Sequence, residues 1–288
     1  MLLAIACGCR PSSPAAPPEE PASPPQRIIA FAPSSVEIIA ALGATGRLVA
    51  VGSFCHYPSE VTALPKVGGL FDPDLEAVLR LRPDLVVMRG ENKELRRLCA
   101  DVCIPIYEDS TEDLSDIFRT IDELGQLLGR RERAEQLTHE VRSELNRIAR
   151  AVLGRPRPRV LFVVGRRSPD SLAGIITASN GTFVQEMIEY AGGENVFANL
   201  AIAYPEVSLE GILAARPEVV FDAMPESEPS DALDARIKAQ WRQLGSFPAV
   251  EHDRIHVLTD DALLTPSHRV VGTVARLAKL LHPEADLD

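Results

Sequence analysis

A fourteen-residue stretch of this chain occurs twice. Asp74-Leu-Glu-Ala-Val-Leu-Arg-Leu-Arg-Pro-Asp-Leu-Val-Val87 returns 134 positions later as Ser208-Leu-Glu-Gly-Ile-Leu-Ala-Ala-Arg-Pro-Glu-Val-Val-Phe221, with six of fourteen positions identical. Each copy reads as one supersecondary unit. Asp74 or Ser208 is suited to cap a short helix, which Arg82-Pro83 or Arg216-Pro217 ends, because the residue before a proline is pushed out of helical geometry. An apolar run then forms a strand. A chain of 288 residues is long for one hydrophobic core and comfortable for two, so the duplication predicts two lobes built alike.

The flanking sequence alternates in the same way. Strands are expected over 28–31, 48–51 and 85–88 and helices over 35–42 and 75–81, with one more strand near 105–107. Parallel strands need crossover connections, so this βα alternation predicts mainly parallel sheets covered by helices. A second start follows Pro156 and Pro158, where 160–164 is a continuous apolar run suited to burial on both faces of a sheet. Between the two starts, Ala134, Leu137, Val141, Leu145, Ile148 and Val152 recur in steps of three and four, one apolar stripe along a helix. About 23 residues at ~1.5 Å each span about 35 Å, enough to bridge both lobes. The expected fold is α/β, with two Rossmann-like lobes at 27–129 and 157–284 joined by one long rigid helix over 130–153.

Residues 1–26 stand apart from that pattern. Met1 to Ala6 are all apolar, Cys7 follows, and 10–26 hold seven prolines among Ser, Ala and Glu. The order of leader, cysteine and tether resembles the start of a bacterial lipoprotein, with Cys7 as the lipidation site and Cys9 less suited. Six apolar residues fall short of the ~7–15 of a secretory leader, so the leader is expected to begin upstream of Met1. The tether, extended at ~3.1 Å per residue, is expected to lie outside the fold. No run approaches the eighteen apolar residues of a spanning helix, so the lipid is the one expected membrane contact. Forty-one acids against thirty bases give a net charge of −11, which excludes the basic field that nucleic acid attracts. Cys55, Cys99 and Cys103 form no CxxC; Cys99 and Cys103 either bridge or pack as small hydrophobes.

Enzymatic readings find no anchor. GxSxG, GxxxxGK[ST] and GxGxxG are all absent. His252 and His256 have the spacing of a zinc-binding helix, but 254–258 reads as a strand after a turn at Asp253, and four strand residues span about 13 Å, too far for one zinc. Both are expected to be solvated. His56 and His268 are read as polar lining and not as a metal pair, and 179–182 as a turn into a helix beginning near Phe183. Glu76 and Glu210 lie in the first turn of the repeated helices, where the dipole favours negative charge by about 0.3–1 kcal/mol. One exposed carboxylate at an equivalent place on each lobe also suits docking on a pseudo-symmetric partner through two arginines.

Ala32-Pro-Ser-Ser-Val-Glu37, Cys55-His-Tyr-Pro58, Val67-Gly-Gly69, the Leu-Glu repeat, Ala191-Gly-Gly-Glu-Asn-Val-Phe197 and Tyr204-Pro-Glu-Val-Ser208 together resemble the substrate-binding proteins of cobalamin and iron-siderophore ABC importers. The match runs from about Arg27 to Leu281. It implies a ligand cleft between the lobes, little closure on binding, no catalysis and no resident cofactor. It further implies a monomer in the periplasm or another extracytoplasmic compartment, and Glu76 and Glu210 as the acids that meet arginine pockets of the permease dimer.

Ligands of such a fold sit where loops leave the carboxyl ends of strands. That rule selects Phe54, His56, Tyr57, Leu70, Phe71, Met88 and Arg89 in the N-lobe, and Arg166, Arg167, Tyr204, Asp260, Asp261 and Arg269 in the C-lobe. The Cys-His-Tyr-Pro and Val-Gly-Gly loops rank cobalamin or a related corrinoid first. Leu70, Met88 and Tyr204 stand where the cobalamin branch has tryptophans, and Trp241 is the single tryptophan here. The arginines are suited instead to an iron chelate or the propionates of haem. A ligand-sensing module for a membrane receptor shares all these features.

Overall fold

The computed structural model describes residues 23–225 and 227–287. Cys7, the expected lipidation site, and Cys9 lie outside the described residues. The N-lobe runs β1 (Ile28–Ala30), α1 (Pro33–Ala41), β2 (Leu48–Val51), α2 (Leu75–Leu81), β3 (Leu85–Arg89), α3 (Lys93–Asp101), β4 (Ile106–Asp109) and α4 (Leu114–Leu127). Its four strands are all parallel in the order β2-β1-β3-β4. α5 (Arg131–Val152) then crosses to the C-lobe.

The C-lobe comprises β5 (Arg159–Gly165), β6 (Ile175–Thr177), α6 (Phe183–Tyr190), β7 (Glu194–Asn195), β8 (Glu206–Val207), α7 (Leu209–Ala215), β9 (Val219–Ala223), α8 (Asp231–Leu244), α9 (Pro248–Glu251), β10 (Ile255–Leu258) and α10 (Val270–Leu281). Its six-stranded sheet has the order β10-β9-β5-β6-β8. One edge of β5 is shared, with β7 pairing parallel at its start and β6 antiparallel at its end. β9 and β10 extend the parallel part, and β8 closes the antiparallel edge against β6.

The repeated segments adopt one geometry. Asp74 accepts from the Ala77 amide and Ser208 from the Gly211 amide, capping α2 and α7. Both helices end at the arginine before proline, which enters the left-handed region at φ 47° for Arg82 and 46° for Arg216. The exit is therefore left-handed and not extended, because this turn lets the arginine amides close back on Leu79 and Leu213 carbonyls. β3 and β9 follow directly, so each helix begins at the carboxyl edge of its own sheet.

Three apolar clusters fill the layers. Val86, Met88, Val78 and Leu95 pack on one face of the N-sheet, and Trp241, Phe247, Ile237 and Val220 on one face of the C-sheet. The third joins the remaining faces of both sheets: Ile28 and Val87 from one lobe and Val160 and Phe162 from the other belong to a single cluster that includes α4, α5, α6 and α10. The six stripe residues of α5 are all buried in it. Gly125 in α4 permits the closest approach, since a Cβ there would lie 2.3 Å from that of Ala134 in α5.

Two expectations need correction. The fold begins before Arg27: Pro25 is buried, its carbonyl accepts from Arg47, and the Gln26 amide donates to Asp84. His256 is not solvated; it lies in β10 with its ring 5.7 Å from that of Phe221, and burial lowers its pKa to about 4. Of the two readings open for Cys99 and Cys103, the structure has no bridge: both are free thiols, Cys99 packed in the N-lobe core and Cys103 exposed. Among the described residues no helix is long and apolar enough to cross a membrane, and no three metal-binding side chains cluster.

Because one core spans both lobes, unfolding should be a single transition. Leu145→Ala, in mid-α5, is expected to cost about 2–5 kcal/mol and to shift Trp241 fluorescence and far-UV circular dichroism together in urea; separate midpoints would contradict a shared core. His256 supplies a pH dependence. Its folded pKa is lowered from 6.5 to about 4, so between those values the unfolded state binds the extra proton and stability falls as pH drops. The melting temperature of His256→Leu should fall less steeply than that of the wild type across this window.

Candidate ligand-binding cleft

The carboxyl edges of the two sheets face each other across a cavity of about 540 Å³, within the range of small-molecule sites. Pro33, Glu37, Phe54, His56 and Tyr57 form the N-lobe wall; Pro225, Glu228, Asp261, Leu264 and Thr265 form the C-lobe wall. Phe54 is 65% exposed and Tyr57 43% exposed, large apolar surfaces that a ligand would cover. No lysine or arginine lines this cavity among the described residues.

Glu37 anchors the floor. It lies in α1 among Val36, Ile38 and Ile39, and its side chain is 3% exposed. Such a carboxylate needs a partner in the low-dielectric interior. It receives two from the C-lobe: the Ser267 hydroxyl donates to Oε2, and Arg269 Nη1 donates to Oε1 at 2.8 Å. Burial pushes the Glu37 carboxyl above its ordinary range, with Ser267 and Arg269 opposing it. Arg269 also donates to Asp261 at 2.8 Å and covers the Tyr57 ring at 4.0 Å. One guanidinium thus joins α1, the loop after β2 and the segment after β10.

A second set of hydrogen bonds joins the lobes. The Phe183 amide donates to the Glu112 carbonyl at 2.8 Å, and Glu186 of α6 accepts from the Leu114 amide at the start of α4 at 2.6 Å. Burial pushes Glu186 upward in pKa. Tyr204 lies near these residues, 36% exposed; burial and then the Glu112 charge raise its pKa to about 12, with Arg89 opposing.

The residues selected from sequence divide accordingly. Phe54, His56 and Tyr57 meet in the cavity wall. Leu70 packs half-buried against the N-lobe core, and Phe71 is 94% exposed outside the cavity lining. Met88 is 1% exposed and does not reach the cleft, because strand alternation turns it with Val86 toward α2 and α3. Arg89 donates to the Thr111 carbonyl within its own lobe. Arg166 is also turned inward: its guanidinium, 4% exposed, pairs with Asp222, which takes the Trp241 indole N–H at 2.8 Å as well. Arg167 pairs with Glu206. Asp260 caps the turn over Asp261–Leu264 through the Ala262 amide, leaving Asp261 in the wall. Arg269 is the clasp and not a free cation. His268 does not line the cavity, so it does not meet His56 there.

Glu37 and Ser267 were missed. The available signal for Glu37 was an acid inside the apolar run of α1; nothing local marks Ser267, 230 residues away. Glu76 and Glu210 are both exposed, and neither carboxylate has a hydrogen bond or ion pair among the described residues. Each stands in the first turn of its helix, at the edge of its sheet that faces the cavity.

Two α/β lobes, one rigid connecting helix and a preformed cleft define a bilobal solute-binding protein. The periplasmic binding protein family model matches residues 28–262, and the chain belongs to that family. It is 29% identical over 257 residues to a vitamin B12-binding protein of Vibrio parahaemolyticus, with 88% of each chain covered. The periplasmic vitamin B12 binding protein of Vibrio cholerae superposes with a TM-score of 0.74 at 26% identity, over 90% of this chain and 98% of that one. A periplasmic heme binding protein from Pseudomonas aeruginosa superposes at 0.79 with 27% identity, over 91% and 94%.

Removing one partner of a buried pair strands the other charge, at a cost of about 3–5 kcal/mol. Arg269→Met should destabilise the protein by that order in urea. Adding Glu37→Gln should recover part of the loss, because an amide tolerates the site without a cation. A double variant weaker than Arg269→Met alone would show that the pair does not couple the lobes.

Proposed function

We propose that this protein is the extracytoplasmic substrate-binding component of an ABC importer, that it captures cobalamin or a related corrinoid, and that it delivers this cargo to a permease dimer without catalysing a reaction. The observation that carries the ligand class is the state of the arginines. Arg89, Arg166, Arg167 and Arg269 are each engaged by protein carbonyls or carboxylates, while exposed Phe54 and Tyr57 dominate the N-lobe wall. A cavity of that kind suits a bulky, amide-rich and partly apolar macrocycle better than a polyanionic chelate. The vitamin B12-binding relatives agree with this reading.

Haem is the second reading, supported by the heme-binding structure that superposes well. Its propionates would have to displace Asp222 from Arg166 or Glu37 from Arg269, which breaks buried pairs, while Arg167, in an exposed pair with Glu206, does not line the cavity. Delivery is assigned to Glu76 and Glu210, whose exposed carboxylates match two arginine sites on a pseudo-symmetric partner. Lipidation at Cys7 would hold the monomer at the membrane.

Calorimetry on the soluble chain should give heat with cobalamin or cobinamide at submicromolar affinity and none with a ferric catecholate chelate. Heat with the chelate alone would reverse the ranking. Glu76→Lys combined with Glu210→Lys should leave ligand affinity within about twofold, since neither side chain lines the cleft, and abolish uptake in cells carrying the permease. Undiminished uptake would refute the docking roles.

A further inference from the structure

The loop after β2 presents a nitrogen donor to the cavity on a backbone that cannot retreat. Gly52 N donates to Ala30 O at 2.9 Å, Ser53 N to Gly68 O at 2.9 Å and Cys55 N to Gly52 O at 3.1 Å. Lys66 Nζ holds the Cys55 carbonyl at 2.7 Å. A Cβ on Gly52 would stand 2.1 Å from the Phe31 carbonyl oxygen, so the loop lies against β1 as closely as glycine allows. The Cys55 side chain points inward, its thiol donating to Phe31 O and pushed by burial up to about 12. That inward cysteine leaves Phe54 and His56 directed to the cleft.

Tyr57 is committed to the face of the Arg269 guanidinium. His56 is committed to nothing: it is exposed, and no hydrogen bond or ion pair engages it among the described residues. Among the described residues it is the one imidazole in the cavity wall, and the opposite wall offers Pro225, Leu264 and Thr265 with two carboxylates. Polar side chains in such walls orient the ligand, and a neutral imidazole nitrogen is a strong donor to cobalt and iron.

Building on the corrinoid reading, we infer that His56 supplies an axial nitrogen to the metal of the bound macrocycle. The step is a ligand exchange without redox change. One ring nitrogen donates its lone pair to the metal, the metal–oxygen bond to an axial water breaks, and that water leaves for solvent. The anchored loop makes the exchange favourable, because little backbone freedom is lost when the ring is fixed. The inference confines the preferred ligand to macrocycles with an exchangeable axial position. Cobalt of an incomplete corrinoid and iron of haem share that chemistry.

The test uses the full chain and three probes: aquocobinamide with exchangeable waters, dicyanocobinamide with both axial positions blocked, and ferric haem. Wild type and His56→Ala are compared by calorimetry and by visible absorption. Aquocobinamide should change its absorption bands on binding wild type but not His56→Ala, and its affinity should fall in the variant by at least the ~10-fold that disturbing a metal's surroundings costs. Dicyanocobinamide should show unshifted bands with both proteins, and its affinity should fall less in His56→Ala than that of aquocobinamide. Aquocobinamide bound by the wild type without a band shift, or with the same shift in His56→Ala, overturns the axial role and leaves the corrinoid reading standing. Absence of heat with either cobinamide overturns that reading instead; a His56-dependent change in the haem Soret band would then keep the axial donor and assign it to iron. His56 is exposed, so an unchanged melting curve for the variant verifies that the fold is intact.

Discussion

The width of the cleft is set by a carboxylate that cannot leave its cation. Glu37 is buried in the N-lobe, and Arg269 and Ser267, which satisfy it, come from the far end of the chain. Separating the lobes at this point would expose a charge pair to a low-dielectric half-site, at a cost of several kcal/mol. A second interlobe contact, Glu186 accepting from the Leu114 amide at the first turn of α4 with the Phe183 amide on Glu112, adds to it. α5 joins both through the shared core, in which its apolar stripe is completely buried. Hinge closure needs a few residues able to absorb dihedral change, and neither an uninterrupted helix nor two polar locks provides them. The cavity is therefore largely preformed, and binding costs little reorganisation.

Rigidity also explains the distribution of charge. Each arginine near the carboxyl edges of the sheets serves the protein's own architecture. Arg166 neutralises Asp222, which is 0% exposed in the centre of the C-sheet and shared with Trp241. Arg89 ties β3 to the segment after β4 through the Thr111 carbonyl. Arg269 serves Glu37, Asp261 and the Tyr57 ring at once. Its attraction for Asp261 outweighs burial and keeps that carboxyl below its usual range. What is left facing the cavity among the described residues is aromatic, aliphatic, prolyl and acidic surface with one imidazole, a wall suited to shape and stacking contacts and not to salt bridges with an anion.

The elements that were legible in sequence are those whose causes are local. The six buried positions of α5 follow from spacing alone, and the paired caps of α2 and α7 follow from Asp74 and Ser208 preceding apolar helices. The cleft was harder to read, because side-chain direction there is decided by alternation and by distant partners. Met88 lies in β3, a strand whose two faces are both apolar, so nothing local distinguishes core from cavity; which face α2 and α3 cover decides it. In sequence Arg166 and Arg269 stand as unpaired cations, because the carboxylates that hold them lie 56 residues later and 232 residues earlier. The end of the tether is obscured in sequence for a related reason. Proline-rich composition reads as extended linker, yet Pro25 is buried and a backbone hydrogen bond to Asp84 docks Gln26.

A preformed cleft moves the energetic problem from capture to release. A protein that closes around its cargo can discharge it by reopening, whereas here α5, the Glu37–Arg269 pair and the Glu186–Leu114 hydrogen bond all resist parting of the lobes. Release then requires a partner able to act on both lobes, since force applied to one alone would carry the other with it through the shared core. The repeated element is suited to this task. α2 leads into β3 and α7 into β9, central strands of their sheets, so a pull on the first turn of either helix is transmitted to a whole lobe without bending it. On the docking proposed for Glu76 and Glu210, the work of parting the lobes is done at two handles at the cavity-facing edges, and the resistance they meet is the Glu37–Arg269 clasp beside the cargo.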